Sequence, residues 1–298
     1  MSVSFCIVFL PLQRESSLRR QLLVVLGFTA LLPASASAVG IMVNEYRVVS
    51  GGPSSNKMAN TEFIEFVLTE DATAADLAGL TFGSTTHQTN TIISVFQFDQ
   101  TTLDGILTGS GRSTFAAGSV IVVKGTGLGA QNLTYDPQIA NIGNADAWSI
   151  ELVAGQGAMD HSETVIDGVL DMDRRGTVVW VSTDNPPSNN IDTSGFIAAI
   201  GHDDNPGTIA NAVISQFGAG NILNATFGAG SRTVQNTGAD TVSLAASTTS
   251  TMGAANGAAN QTWIENSLRA FAVPEPSRAL LSLLAMTLTL CRRRVRRN

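Results

Sequence analysis

Short, punctuated apolar runs set the strongest limit on what this chain can become. Hydrophobic residues cluster in Ile41–Arg47 (IMVNEYR), Glu62–Thr69 (EFIEFVLT), Leu80–Gly83, Thr91–Phe98 (TIISVFQF), Ser119–Lys124 (SVIVVK), Ala147–Val153 (AWSIELV), Thr164–Val169, Thr177–Ser182 (TVVWVS), Phe196–Ile200, Ala210–Phe217, Ile222–Phe227 and Thr241–Ala245. No segment carries an apolar stripe of about 3.6-residue period through three helical turns, and Ala72–Leu80 has room for one turn at most. Ala147–Val153 alternates most clearly, with Trp148, Ile150 and Leu152 on one face and Ser149, Glu151 and Val153 on the other. That period of two is the pattern of a strand with one buried face. Turn chemistry separates the runs at Ser50–Pro53, Gly125–Gly127, Asn141–Asn144, Asp184–Pro187 and Asp204–Gly207. Many short strands with turns every ~8–12 residues predict an all-β chain, and a β-sandwich in particular.

The two ends do not belong to that body. Arg14, Arg19 and Arg20 form a basic region, Leu22–Leu32 an apolar core, and Ala36-Ser37-Ala38 a small-residue site for signal peptidase, which predicts a signal peptide over 1–38 cut after Ala38. The residues before Arg14, apolar from Phe5 to Leu12, are unusual ahead of a basic region; a misplaced start codon or a long leader accounts for them, and both lead to export.

At the other end, VPEPSRALLSLLAMTLTLCRRRVRRN runs from Val273 to Asn298. A rigid Pro-Glu-Pro precedes an apolar run from Ala279 to Cys291 and an arginine cluster at Arg292, Arg293, Arg294, Arg296 and Arg297. As a helix, Val273–Cys291 spans roughly 28 Å, against a hydrocarbon core of about 30 Å. Arg278 interrupts the outer side, so insertion is marginal and suits a temporary stop in the inner membrane, with a single short transmembrane helix over about 277–291. The arginine cluster stays cytoplasmic under the positive-inside bias, and everything before it lies across the membrane.

Removing both ends changes the electrostatics. The chain has 17 basic and 24 acidic residues; the leader takes three arginines and Glu15, the tail six arginines and Glu275. Residues 39–273 keep 8 basic and 22 acidic residues, a net charge of −14. So acidic a surface argues against nucleic acid and anionic lipid as partners and favours solubility. Both cysteines, Cys6 and Cys291, lie outside this body, so its stability must come from a core rather than from disulfides.

No catalytic constellation stands out. Asn44 with Glu45, and Glu62 with Glu65, suggest paired carboxylates, but on a strand Glu62 and Glu65 point to opposite faces; the favoured reading is framework, polar side chains tying strand ends or facing water. Asp167, Asp171 and Asp173, followed by Arg174 and Arg175, form the densest acidic cluster. They could hold Ca²⁺, although a solvated turn with local ion pairs is favoured. His202-Asp203-Asp204-Asn205 could also chelate a cation, but its Asn-Pro-Gly continuation marks a turn. His87, His161 and His202 are far apart and lack the company of a zinc site. Gly125–Gly129 follows a strand without the phosphate-binding pattern and reads as a hairpin. Asn132, Asn224 and Asn260 begin glycosylation acceptors. The stretch 245–259 reads as a loose terminal strand or the start of a spacer, and 257–272 as the spacer.

Two resemblances give these pieces a context. Pro274-Glu275-Pro276, the short apolar helix and the arginine cluster resemble the PEP-CTERM sorting signal. That resemblance implies recognition by an exosortase, a membrane cysteine protease-transpeptidase of Gram-negative bacteria, with release or transfer to the cell surface or extracellular matrix. A bacterial host takes weight from the glycosylation acceptors. Ile41–Tyr46 (IMVNEY), Glu62–Phe66 (EFIEF) and Asp76–Phe82 (DLAGLTF) are similar to the opening of the lamin-tail domain, Phe115–Val123 to its next strand pair, and Gly238–Thr241 with Gly253–Asn256 to its close. Leu80 stands where that family has Trp, and Met252 where it often has Pro. The resemblance implies an immunoglobulin-like β-sandwich, here over 39–256 with extra strands, acting as a non-catalytic adhesion or interaction module toward extracellular polysaccharide or a surface protein. The alternative is an extracellular hydrolase or nuclease with its site in 159–235.

Overall fold

The computed structural model describes residues 39–49, 61–88, 92–131, 133, 135–137, 147–154, 158–160, 172–183, 193–228, 230–239 and 242–269. The predicted leader with Ala36 and Ala38, and the tail with Val273, Pro274, Glu275, Pro276 and its arginines, lie outside the described residues, as do His161, Asp167 and Asp171.

Twelve strands are described: β1 (Ile41–Val49), β2 (Phe63–Leu68), β3 (Thr81–Thr86), β4 (Ile92–Phe98), β5 (Val120–Lys124), β6 (Ser149–Val153), β7 (Ala158–Asp160), β8 (Gly176–Ser182), β9 (Phe196–Asp203), β10 (Ile222–Asn224), β11 (Ser231–Asn236) and β12 (Leu244–Ser247). They form two six-stranded sheets. Sheet I runs β12-β11-β1-β2-β5-β6 and sheet II runs β10-β9-β8-β3-β4-β7. Both are mixed: β5 pairs parallel with β6, β9 parallel with β10, and the other neighbours are antiparallel.

The strand pattern explains the core. On sheet I, Ile64, Phe66 and Leu68 of β2, Ile121 and Val123 of β5, and Ile150 and Leu152 of β6 occupy alternate positions and enter one buried cluster with Phe82, Phe96, Phe98, Val179 and Val181 of sheet II. Phe66, Phe82 and Phe98 meet at its centre, with ring centroids 4.6 to 5.9 Å apart. Of the alternation read in Ala147–Val153, Ile150 and Leu152 enter this cluster, while Trp148 is buried outside it and Ser149, on the opposite face, is buried too. The chain is thus an all-β sandwich with few helices.

Three departures from the sequence expectations have clear causes. Thr208–Phe217 is a helix, α3, rather than part of a strand run; Ile209, Ala210 and Val213 line one side of it and cover Trp180, Val178 and Val95 on the outer face of sheet II. Gln100–Ser110 is also a helix, α2, following the short α1 (Ala74–Ala78). In α2 only Leu103 and Leu107 are fully buried, a stripe too thin to be seen against its Thr and Gly content. Asp99 caps it by accepting from Thr102 N at 3.0 Å, and Gly111 ends it at φ 68°. Gly125–Gly129 is no hairpin, because β5 and β6 run parallel and need a crossover.

The largest correction concerns the spacer expected over 257–272. Residues 258–262 form a helix, α4, and Trp263–Leu268 a wider π-type turn. Trp263 and Ile264 pack on Phe63, Val67, Val120 and Val122, the face of sheet I turned away from the core. Burying two such side chains contributes roughly 1.5–3 kcal/mol each, so this segment is a structural layer. Among the described residues no helix is long and apolar enough to cross a membrane.

Candidate functional site

The densest polar network lies where this C-terminal segment meets sheet I. A β-bulge at Asn44 creates it. Val43 pairs with Phe66 and Glu45 with Glu65, so β1 uses one residue more than β2 over the same step. The extra residue reverses the facing of the remainder of β1: Tyr46 and Val48 join Ile41 and Val43 in the core, and Glu45 turns outward. Gln235, Glu45 and Glu65 then form a row across β11, β1 and β2.

Each carboxylate holds the segment that covers it. Glu65 is fully buried and accepts from Asn44 Nδ2 and from the backbone N of Gly253, both at 2.7 Å. Glu45 accepts from Thr251 N at 3.2 Å, and its Oε2 lies 2.5 Å from Thr251 Oγ1. Asn256 Nδ2 donates to Asn44 O at 2.8 Å, and Asn260 Nδ2 to Asn44 Oδ1 at 3.1 Å. Burial, followed by the charge of Glu45, pushes Glu65 well above the usual carboxylate range. Burial also raises Glu45, against the bonds from Thr251 that lower it.

Counting hydrogens leaves one contact of this network short of a proton. Thr251 Oγ1 has one hydrogen but sits against both Glu45 Oε2 and Asn256 Oδ1. Asn256 cannot be turned round, because its Nδ2 serves the Asn44 carbonyl. Gln235 Nε2 donates to Thr251 Oγ1 at 3.1 Å and does not relieve the conflict. The arrangement closes if Glu45 is protonated and donates to Thr251, which donates to Asn256.

Further along, Arg269 is 6% exposed; its Nε donates to Gly118 O at 3.0 Å and its guanidinium lies 4.8 Å from the Trp148 ring centre. Gly118 has φ 79°, and a Cβ there would stand 2.5 Å from Arg269 Cγ. Burial lowers the Arg269 pKa to about 10.

A second buried cluster joins the sheets. Tyr46 OH lies 2.8 Å from His202 Nδ1, and His202 Nε2 lies 3.2 Å from Arg174 O. The Arg174 carbonyl needs a hydrogen on Nε2; Tyr46 OH is 2.8 Å from Nδ1 against 3.4 Å from Thr177 O and donates to the nearer Nδ1, which leaves the ring neutral. Burial lowers the His202 pKa to about 4. Phe227 stacks on the same ring at 4.2 Å. His87 Nδ1 meets Gly176 O at 2.9 Å, and Nε2 lies 3.4 Å from Asp203 Oδ1. Both nitrogens of His202 are thus engaged by the protein itself, while His87 Nε2 faces Asp203, whose carboxylate oxygens are buried without a hydrogen-bond partner.

The other sequence candidates fall apart from one another. Glu62 Oε1 accepts from Val49 N at 3.1 Å, a strand-end tie. Asp173 is held by Arg175, whose Nη2 is 2.8 Å away, an ion pair within its own turn. His202 and Asp203 belong to the buried end of β9, not to an exposed chelating turn. Asn260, read as the start of a glycosylation acceptor, is fully buried in the network. Lys124 forms an ion pair with Glu151 and donates to Leu128 O and Gly129 O, which gives the Gly125–Gly129 loop its role. Among the described residues no group of three or more His, Cys, Asp or Glu is arranged to hold a metal. A shallow groove of about 290 Å³ between Ile106, Leu133, Tyr135 and Ile150 has a mostly apolar lining.

Sequence reasoning missed the joining of Asn44, Glu45, Glu65, Asn256 and Asn260. Two signals were present: the phrases at 41–46, 62–66 and 253–256 contain four of the five residues, and Asn256 and Asn260 stand four apart. Comparison of the chain with protein-family models, with curated proteins and with solved structures finds no match in any of the three.

Proposed function

We propose that this chain is an exported surface or extracellular-matrix protein of a Gram-negative bacterium, a substrate of an exosortase. In this reading the sandwich is a lamin-tail-like, immunoglobulin-like module of interaction, without catalysis. The observation that carries the reading is the three-part residue pattern of 273–298, together with the basic, apolar and small-residue succession over 14–38. Signal peptidase removes the leader, the apolar run halts in the inner membrane, and the exosortase meets Pro274–Pro276. Its thiol takes the scissile carbonyl as the tail leaves with the amine, and the acyl group passes to water or to an acceptor amine.

The fold supports an interaction role over a catalytic one at the carboxylates the sequence offered. Glu45 and Glu65 are spent on holding the chain's own C-terminal segment. The net charge of −14 over 39–273 suits a partner such as polysaccharide or another surface protein rather than nucleic acid. Deleting 274–298 in the native host tests the sorting reading: surface delivery should be lost, and delivery at the parent level would refute it. Glycan arrays and pull-downs from matrix extracts test the binding role, and silence from both would count against it.

A further inference from the structure

Asp203 is 1% exposed, and neither of its carboxylate oxygens has a hydrogen-bond partner. A buried carboxylate left without a donor is costly. Neighbouring residues of a strand face opposite ways, so His202 turns to Tyr46 in the core and Asp203 to the outer face of sheet II. There it meets His87, just past the end of β3 and itself buried. The His87 ring lies over Gly176, where a Cβ would stand 2.1 Å from Nδ1. Its Nδ1 donates to Gly176 O at 2.9 Å, which fixes a hydrogen on Nδ1 and leaves Nε2 facing Asp203 Oδ1 at 3.4 Å. In the neutral ring a nitrogen lone pair therefore faces a carboxylate.

The contact is not a hydrogen bond, since Oδ1 and Oδ2 both lack a partner. Its length fits a different chemistry. Two donors on one tetrahedral ion, each about 2.0–2.1 Å from it, stand about 3.3–3.4 Å apart and point about 35° off the line that joins them. A backbone carbonyl on the other ring nitrogen is also what orients a ligating histidine. We propose that His87 Nε2 and Asp203 together bind a divalent cation of the zinc type at the outer face of sheet II. Two protein donors are fewer than the three or four of a resident zinc centre, so the ion is exchangeable and water completes its shell. An imidazole nitrogen favours zinc over calcium or magnesium, which take oxygen. The carboxyls of Asp173 and Asp204 lie within electrostatic reach of the same ring and add negative potential around it.

The test is thermal unfolding of the chain purified from its native host, without a histidine tag and after treatment with a chelator. Zinc chloride at saturation should raise the parent's Tm by about 3 °C or more. Asp203→Asn and His87→Ala should each respond by less than about 1 °C. Asp203→Asn carries the test if His87→Ala folds poorly, because the amide keeps the shape of the acid and its Nδ2 can donate to Nε2 while the anionic donor is gone. A parent that does not respond to zinc chloride overturns the site, and so does an equal response from Asp203→Asn. An equal rise with calcium chloride would mean that surface carboxylates rather than the imidazole take the ion, and overturns it too.

Discussion

Glu45 and Glu65 stand directly opposite each other on β1 and β2, and each bonds to the same turn, Thr251 to Gly253, from beneath. Burial raises both acids, and across the pair the charge of Glu45 raises Glu65 further. A carboxyl raised on folding binds its proton more tightly in the native state. Its contribution is complete below the unfolded value near 4.5 and is lost as pH rises through the raised native value.

Glu45→Gln should therefore be tolerated at neutral pH. Its Nε2 can donate to Thr251 Oγ1 where the protonated acid does, and its Oε1 can accept from Thr251 N. Urea unfolding of Glu45→Gln at pH 8 should lie within about 1 kcal/mol of the parent, while Glu45→Ala should lose about 1–3 kcal/mol. Equal losses for both variants would remove the assigned proton.

His202 behaves with the opposite sign. Its native pKa of about 4 lies below the unfolded 6.5, so the unfolded chain gains the proton first as pH falls. The stability it protects is complete above 6.5 and drains away between 6.5 and about 4, a loss of about 3 kcal/mol in all. NMR titration should show a ring still neutral at pH 5.5. Tyr46→Phe, which leaves Nδ1 without its donor, should cost about 1–2 kcal/mol at neutral pH.

Gly118→Ala tests the seat of Arg269. The added Cβ meets Arg269 Cγ at 2.5 Å and sits at φ 79°, so the variant should lose about 2 kcal/mol and expose the segment near Arg269 to proteolysis. Arg269→Ala in the same chain should recover part of that loss, a non-additivity read from a double-mutant cycle by thermal unfolding.

His87 and Asp203 should be coupled in the same way. His87→Ala removes the Nδ1 bond to Gly176 O and empties a buried site beside Asp203; it should cost about 1–3 kcal/mol, more than the share it adds once Asp203→Ala is already present. Additive losses in urea unfolding would mean the two do not interact.

Much of the sandwich was legible because its strands are short apolar runs bounded by turn residues. EFIEFVLT and SVIVVK became β2 and β5, and AWSIELV supplied β6 at Ser149–Val153, where Ile150 and Leu152 enter the core as read while Ser149 on the other face is buried too, bonded to Gly253 O. Ala210–Phe217 misled because its apolar residues are dense enough to suit either period, and only the outer face of sheet II selects the helix. The segment from Gly257 looked like spacer because it follows the Ala-, Ser-, Thr- and Gly-rich stretch 245–259 and leads to the tail; its two anchors, Trp263 and Ile264, acquire meaning from the apolar outer face of β2 and β5.

By itself the sequence determined the class of fold, the cysteine-free acidic body and the distinct chemistry of its two ends, since each follows from composition and from spacing along the chain. Tertiary structure alone decided what Glu45 does. One extra residue at Asn44 turned that carboxyl from the core side to the outer side of sheet I, where a turn more than 200 residues later brings Thr251 onto it. Local pattern cannot record a bulge whose purpose is a partner that distant, because the energy that holds it comes from contacts that exist only once both strands and the covering segment are in place.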